Sequence, residues 1–334
     1  MKCWYQKNII SIILFPFSLI YRAIIFIRYF FYKIKLFRSH QIQVPVIVVG
    51  NITVGGTGKT PLVMALIQLL EKQGFQPGVI LRGYGGKSKT WPVWVDKNSN
   101  PQLVGDEAVL IAKNTAAPVV VGPKRIVSAK KLLAKTNCNI VISDDGLQHY
   151  ALARDIEIAV IDGSRRFGNG FCLPAGPLRE PLTRLDKVNF LVVNGDLFPN
   201  VFSAPAFTMC FILDEVINVK DENIKLSFSA LKNKKIRAVA GIGNPERFFQ
   251  SLRSCDLIFS KTIFPDHHAF QKNDFASFDE AVILMTEKDA VKCCDFADAR
   301  FWFVRGHVEI DPYFQKQLLL ALPSNSSLGK FSPF

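Results

Sequence analysis

Residues 46–60 read VIVVGNITVGGTGKT. A compact β-branched run (44–49) enters a glycine-rich turn, and Gly-Lys-Thr then opens a helical pattern over 61–73. Strand, phosphate-gripping loop and helix in that order belong to a parallel α/β fold. Gly55, Gly56 and Gly58 allow successive backbone N–H groups to turn toward phosphate oxygens, which side chains there would block. Lys59 offers a positive charge to the terminal phosphates, the Thr60 hydroxyl is placed to ligate Mg²⁺, and the helix N-terminus adds its field. Thr53, Val54, Gly55, Gly56, Thr57, Gly58, Lys59 and Thr60 are therefore the candidate nucleotide contacts. One departure is plain: the pattern asks for glycine at position 53, where this chain has threonine.

The rest of the chain alternates short apolar runs with helical segments. Strands are expected over 78–81, 117–121, 139–143, 156–161 and 190–193, with a helix over 124–134. This rhythm implies βαβ units, a doubly wound, mostly parallel sheet, and ligands beyond the carboxyl ends of the strands. Residues 207–235 read as a connector with β content. A smaller α/β lobe follows, with strands expected over 236–240, 257–259, 281–285 and 301–304 and helices over 245–252 and 318–322. The expected organisation is an N-terminal membrane-associating segment (1–43), a nucleotide-binding domain (44–206), the connector (207–235), the smaller lobe (236–325) and a tail (326–334).

Charge is unevenly placed. Lys2, Lys7, Arg22, Arg28, Lys33, Lys35 and Arg38 precede the first acid of the chain, Glu71. The residues between them are Ile, Leu and Phe, too apolar for a nucleic-acid surface, so the expected partner is a membrane surface. The charge-free run 8–21 has 14 residues, short of the ~20 a spanning helix needs. Extending it to 32 takes in Arg22 and Arg28, each costing ~2.5–3.5 kcal/mol at mid-bilayer. Lys7, Ser11, Ser18, Arg22, Tyr29 and Lys33 form one polar stripe on a helical wheel. The expectation is a monotopic amphipathic helix lying in the interface, its bases reaching the headgroups. No A-x-A-like cleavage site follows the apolar run. Seven cysteines, five scattered and two adjacent (Cys293-Cys294), without a CxxC pair exclude a disulfide framework or zinc site as the expectation.

A nucleotide loop of this kind needs an acid after a neighbouring strand, and the run 139–143 ends in Asp144-Asp145. Two adjacent carboxylates at a strand end call for a cation between them, so Thr60, Asp144 and Asp145 are the candidate metal ligands, with Asp145 favoured for direct contact. Three protein classes share these features: a kinase acting on a membrane-bound acceptor, a membrane-associated ATPase switch of the partitioning or targeting type, and a nucleotide-sensing scaffold. The switch characteristically carries a lysine where this chain has Val54. The scaffold needs no acid or base at strand ends, and this chain gathers several.

The ordered set GNITVGGTGKTP, LRGYGG (81–86), VGDEAVLIA (104–112), SDDGLQH (143–149), GNGFCLPAGPLREP (168–181), GIGNPERFF (241–249), FPDHHAF (264–270) and TEKDAVK (286–292) closely resembles the tetraacyldisaccharide 4′-kinase family of lipid A biosynthesis. The resemblance runs from about residue 45 to 292. It implies transfer of the γ-phosphate of ATP, with Mg²⁺, to the 4′-hydroxyl of a tetraacylated glucosamine disaccharide 1-phosphate, giving lipid IVA at the cytoplasmic face of the inner membrane. An enzyme for such a lipid goes to the bilayer, because acyl chains leave it at ~0.8 kcal/mol per CH₂.

The resemblance also implies roles. Asp106 matches the general base, with a histidine of the second lobe as its partner: His267, with His268 as the alternative. Read without the family, Asp106 is a helix N-terminal carboxylate favourable to the helix dipole. Lys59 joins Asp106 and His267 in the catalytic set. Glu107, Gln148, His149, Arg179 and Glu180 are further candidates for metal, acceptor or phosphate contacts, and Arg82 and Tyr84 for lining the sugar site. Residues 286–289 are expected at the interlobe cleft, and closure of the two lobes is expected to assemble the base with its histidine.

Overall fold

The computed structural model describes residues 4–6, 8–199 and 201–322; Lys2, Cys3, Lys7 and the expected tail 326–334 lie outside the described residues. The chain begins with α1 (Ile9–Lys33), β1 (Val46–Gly50), α2 (Lys59–Lys72), β2 (Pro77–Leu81) and β3 (Val93–Val95). It continues with α3 (Pro101–Val104), α4 (Asp106–Asn114), β4 (Val119–Val121), α5 (Arg125–Leu133), β5 (Ile140–Asp144), β6 (Ile156–Asp162) and β7 (Phe190–Asn194). Then come β8 (Ala206–Asn218), β9 (Lys225–Leu226), β10 (Ile236–Ala240), α6 (Pro245–Ser254), β11 (Ser260–Ile263), β12 (Val282–Thr286), α7 (Glu287–Ala290), β13 (Phe301–Ile310) and α8 (Pro312–Ala321).

These strands form one sheet, in the order β11-β10-β12-β13-β8-β7-β6-β1-β5-β2-β4-β3, with β9 on β8. β1, β2, β5, β6 and β7 are buried along their whole length, which is why they read as unbroken apolar runs rather than alternating ones. α2 covers one face with Leu62, Val63, Leu66, Ile67 and Leu70 at helical spacing. Its Pro61 sits in the first turn, where the missing N–H has no helical partner to lose.

The expected connector contains the element that sets the architecture. The first residues of β8 run parallel to β7, as far as Met209 beside Asn194. β8 then continues antiparallel to β13, from Met209 beside Ile310 to Asn218 beside Trp302. β12 and β10 lie parallel to β13 at that far end. The two parallel halves of the sheet therefore run in opposite senses, and their carboxyl ends face each other across one cleft.

Other expectations are corrected. Residues 257–259 are not a strand; the chain turns at Asp256 (φ 56°), Leu257 is buried, and the pairing begins only at Ser260, on the sheet edge. The final helix starts earlier than 318, and Phe314 and Leu318 pack with Phe190 and Phe207 in the core of the first half. The end of the expected smaller lobe is thus part of the first core. The six cysteines among the described residues carry no disulfide.

α1 is a single helix through Pro16, capped by Asn8, whose side chain accepts from Ser11 N. Part of its polar stripe is turned the opposite way from expectation. Ser11 and Ser18 are buried, and Ser18 Oγ donates to the carbonyl of Cys172 at 2.9 Å. Phe15 packs on Phe171, Tyr21 donates to the carbonyl of Arg179, and Tyr29 and Tyr32 pack on Tyr150. These contacts recur every three to four residues, so one face of α1 lies along the body. Arg22, Arg28 and Lys33 stay exposed, and so do Ile9, Ile13 and Phe26, at 69%, 64% and 67%. Hydroxyls dock because they can satisfy themselves on backbone carbonyls, whereas the large apolar side chains find no protein to cover them.

Candidate active site

The glycine loop joins β1 to α2 at the mouth of the cleft. Gly58 stands at φ 96°, and a Cβ there would meet the Asn194 side-chain amide, so the position demands glycine. Asn194, at the end of β7, donates from Nδ2 to the carbonyl of Thr57 at 3.0 Å. Lys59 Nζ lies 3.3 Å from Asp145 Oδ1 and donates to Asn51 Oδ1 at 3.2 Å. Thr60 Oγ1 donates to Asp144 Oδ2 at 3.1 Å.

The two adjacent carboxylates at the end of β5 have different surroundings. Asp144 is buried; burial, with Glu107 nearby, pushes its carboxyl well above the usual carboxylate range despite Lys59. Asp145, at φ 49°, is also desolvated, but Lys59 and Arg179 hold it well below that range. Arg179 Nη1 donates to both its oxygens, at 3.2 and 3.1 Å. A divalent cation beside Thr60 and Asp144 would relieve the crowding of negative charge. Among the described residues no cluster of three or more His, Cys, Asp or Glu side chains could hold a metal, so such an ion would take most of its ligands from water and phosphate.

On the same half as the glycine loop, Asp106 opens α4 and is buried. His267, on the loop after β11, places Nδ1 3.2 and 3.1 Å from its two carboxylate oxygens. Lys288 and Lys292 add their ammonium groups at 3.8 and 3.9 Å. Burial alone would raise the Asp106 carboxyl; the His267 hydrogen bond and the two lysines outweigh it and lower the pKa to about 2. The same hydrogen bond raises His267. His267 occupies φ 59°, a conformation that costs a non-glycine residue ~1–2 kcal/mol and aims its ring at the first half. His268 faces away: it pairs with Asp274 at 2.9 Å and stacks on Phe264.

The structure brings several other candidates to the same place. Glu107 pairs with Lys288 at 3.1 Å. Tyr84 packs its ring 5.1 Å from that of His267, and Arg82 lines a small hollow with Tyr84, Asp144 and Asp145. His149 is half-buried, and burial with Arg125, Arg154, Arg28 and Arg82 nearby lowers its pKa to about 4. Glu180 is a correction: it is 2% exposed, accepts from Gln148 Nε2 at 2.7 Å and from Tyr150, and faces Arg184. Its carboxylate is committed to the interior beneath α1, and Gln148 is shared between it and the carbonyl of Asn51.

A cavity of about 210 Å³ runs between the halves, floored by Gly56–Thr60 and walled by Gly243, Asn244, Arg247 and residues 286–288. Phe211, Phe248, Val304 and Val308 give it an apolar end. Residues 286–288 line the cleft as expected, but sequence reasoning gave Lys288 no contact with Asp106 and missed Lys292 and the group around Asp162. Glu-Lys-Asp in TEKDAVK was the available signal, but only the tertiary contact shows that its lysines face Asp106.

A glycine loop opening a helix, with an Asp–His pair bridging the cleft beside it, is the anatomy of a two-lobed α/β phosphotransferase. The comparisons narrow this to one family. Residues 10–323 match the family model described as tetraacyldisaccharide-1-P 4′-kinase. The tetraacyldisaccharide 4′-kinase of Nitrosococcus oceani is 47% identical over 96% of this chain and 94% of its own length. That of Methylobacillus flagellatus is also 47% identical, with the same coverage of 96% and 94%. The crystal structure of LpxK from Aquifex aeolicus in complex with ATP superposes with a TM-score of 0.79 at 28% identity, covering 94% of this chain and 99% of that one. The chain belongs to the tetraacyldisaccharide 4′-kinase family.

Proposed function

We propose that this chain transfers the γ-phosphate of ATP to the 4′-hydroxyl of a tetraacylated glucosamine disaccharide 1-phosphate, forming lipid IVA in lipid A biosynthesis. What carries the reading is a family match along nearly the whole chain together with the Asp106–His267 pair facing the glycine loop. The ATP-dependent kinase activity is that of the family, and the two-lobed cleft is what such chemistry needs.

Phosphoryl transfer asks for positioning, charge neutralisation and a place for the hydroxyl proton. Backbone N–H groups of residues 55–58 and Lys59 grip the β- and γ-phosphates; Thr53 and Val54, expected among the contacts, are instead tied to the strand-like segment at Pro177–Leu178, with the Val54 N–H donating to the carbonyl of Pro177 at 2.8 Å. Asp106 receives the acceptor's proton as the oxygen–phosphorus bond forms and the γ-phosphate leaves ADP. Its low pKa supports this role, since the carboxylate is ionised at neutral pH and a loose transition state needs only a weak base. His267 orients Asp106 and shares the proton. Thr60 and Asp144 would hold Mg²⁺, which supplies charge neutralisation to the phosphates. Lys59 and Arg179 already neutralise Asp145, which argues for Asp144 rather than Asp145 as the metal-side carboxylate. Arg82, Tyr84, Glu107 and His149 line the side from which the acceptor sugar enters.

The membrane reading rests on α1. At ~1.5 Å per residue its 25 residues reach ~37 Å, enough to cross a bilayer. Its docking from Ser11 to Tyr32 supports the other orientation, because crossing would drag the loops it lies on into the hydrocarbon. α1 therefore lies in the interface of the inner membrane's cytoplasmic leaflet, with its exposed Ile and Phe side chains in the acyl region. Nucleic acid has no part in this scheme.

The test is transfer of radiolabel from γ-labelled ATP to the acceptor in mixed micelles with Mg²⁺. Wild type should give labelled lipid, and Lys59→Ala and Asp106→Ala should lose it. ATP hydrolysis without labelled lipid, unaffected by Asp106→Ala, would instead favour a membrane ATPase.

A further inference from the structure

The turn 241–247, part of the GIGNPERFF stretch, has no role in the scheme above. It lies directly against the glycine loop: a Cβ on Gly243 would collide with the backbone of Gly56. Asn244 and Arg247 reach from it into the first half. Asp162, buried at the end of β6, accepts from Asn244 Nδ2 at 2.8 Å, Arg247 Nη2 at 2.7 Å and Arg165 Nε at 2.9 Å. Two guanidinium groups thus share one carboxylate, leaving an excess positive charge beside the loop.

The two arginines are not equivalent. Arg165 is fully engaged, with Nη1 on the carbonyl of Gly243 at 2.7 Å and Nη2 on the carbonyl of Gly56. Arg247 uses only Nη2, which also donates to the carbonyl of Asn194 at 3.2 Å. Its Nε and Nη1 have no partner among the described residues, its side chain is 25% exposed, and it lines the same cavity as Gly56–Thr60. Lys59 and Lys288, the other cations of that cavity, are both paired with carboxylates.

We propose that Arg247 is a second phosphate-binding residue, supplied by the second half to the polyphosphate of the nucleotide held on the glycine loop, with Asp162 as its positioning residue. The guanidinium keeps separate Nε–H and Nη1–H donors for phosphate oxygens, while Asp162 and the carbonyl of Asn194 hold its Nη2 in place at little entropic cost. Seating this turn on the loop joins closure of the halves to neutralisation of the phosphates. The proposal rests on reading this cavity as the nucleotide site.

The experiment is equilibrium binding of a fluorescent non-hydrolysable ATP analogue, and separately of AMP, to full-length protein in detergent with Mg²⁺. Arg247→Gln should weaken the triphosphate by about tenfold, the worth of a charged hydrogen bond, and leave AMP within about twofold. Arg247→Lys, which keeps the charge without the divergent guanidinium donors, should lose about threefold and serves if the glutamine variant misfolds. Asp162→Asn should weaken the triphosphate selectively as well. Unchanged triphosphate affinity in either Arg247 variant, or an equal loss for AMP, overturns the proposal. Wild type that binds neither nucleotide overturns the reading of the cavity itself.

Discussion

Replacing His267 with alanine removes the hydrogen bond that joins the two halves at Asp106. The displacement of the Asp106 carboxyl from 3.8 to about 2 corresponds to ~2.5 kcal/mol in favour of the ionised form, after burial has been overcome. His267 makes the largest single contribution against burial, and its own pKa is raised in return. A raised histidine contributes stability that is fully present below its unfolded pKa of ~6.5 and is lost as pH rises through its folded value. Asp106 is depressed, so its share is present above ~3.9 and stays constant through neutral pH. The loss of stability in His267→Ala should therefore be ~1.5–3 kcal/mol at pH 5.5, where the bond is charged on both sides, and ~0.5–1.5 kcal/mol at pH 9.5. Because the ring is 24% exposed, the lower halves of these ranges are expected. Urea unfolding in detergent at both pH values measures the difference, and in an Asp106→Asn background the pH dependence should vanish. A loss of the same size at both pH values would refute the ion-pair account of this contact.

Three other outcomes are expected. Gly58→Ala places a methyl against Asn194 at φ 96° and should cost ~1–3 kcal/mol and most nucleotide affinity, read by thermal melting and analogue binding. Glu180→Ala strips Arg184, Tyr150 and Gln148 of a shared buried carboxylate and should cost ~3–5 kcal/mol in urea unfolding. Ile13→Asp with Phe26→Asp, on the exposed face of α1, should reduce co-sedimentation with anionic vesicles while leaving the melting temperature of the detergent-solubilised protein unchanged.

Much of the first half was legible because its signals are local. The glycine loop, the apolar strands and the helix pattern of α2 are each contained in about a dozen contiguous residues. The strand at 257–259 differs from expectation because Leu257 is apolar for a different reason, plugging the core behind α6, while the mostly polar, exposed edge residues 260–263 make the pairing. Periodicity put Ser11, Ser18, Arg22, Tyr29 and Lys33 on one stripe of α1, but the serines and Tyr29 meet the body while Arg22 and Lys33 stay exposed. A helical wheel does not say which side meets protein.

The sequence by itself determined that this chain has a nucleotide-type loop on a parallel sheet, an apolar basic N-terminus and acids at strand ends. Those properties follow from backbone preference and hydrophobic period, which neighbouring residues settle among themselves. The tertiary structure alone decided that the halves face each other, because that depends on β8 pairing with a strand some ninety residues later. With that pairing made, His267 rather than His268 meets Asp106, Glu180 is buried, and Arg247 arrives beside the glycine loop. Each of these outcomes is a contact between distant segments, fixed by how the sheet closes rather than by any run of residues within it.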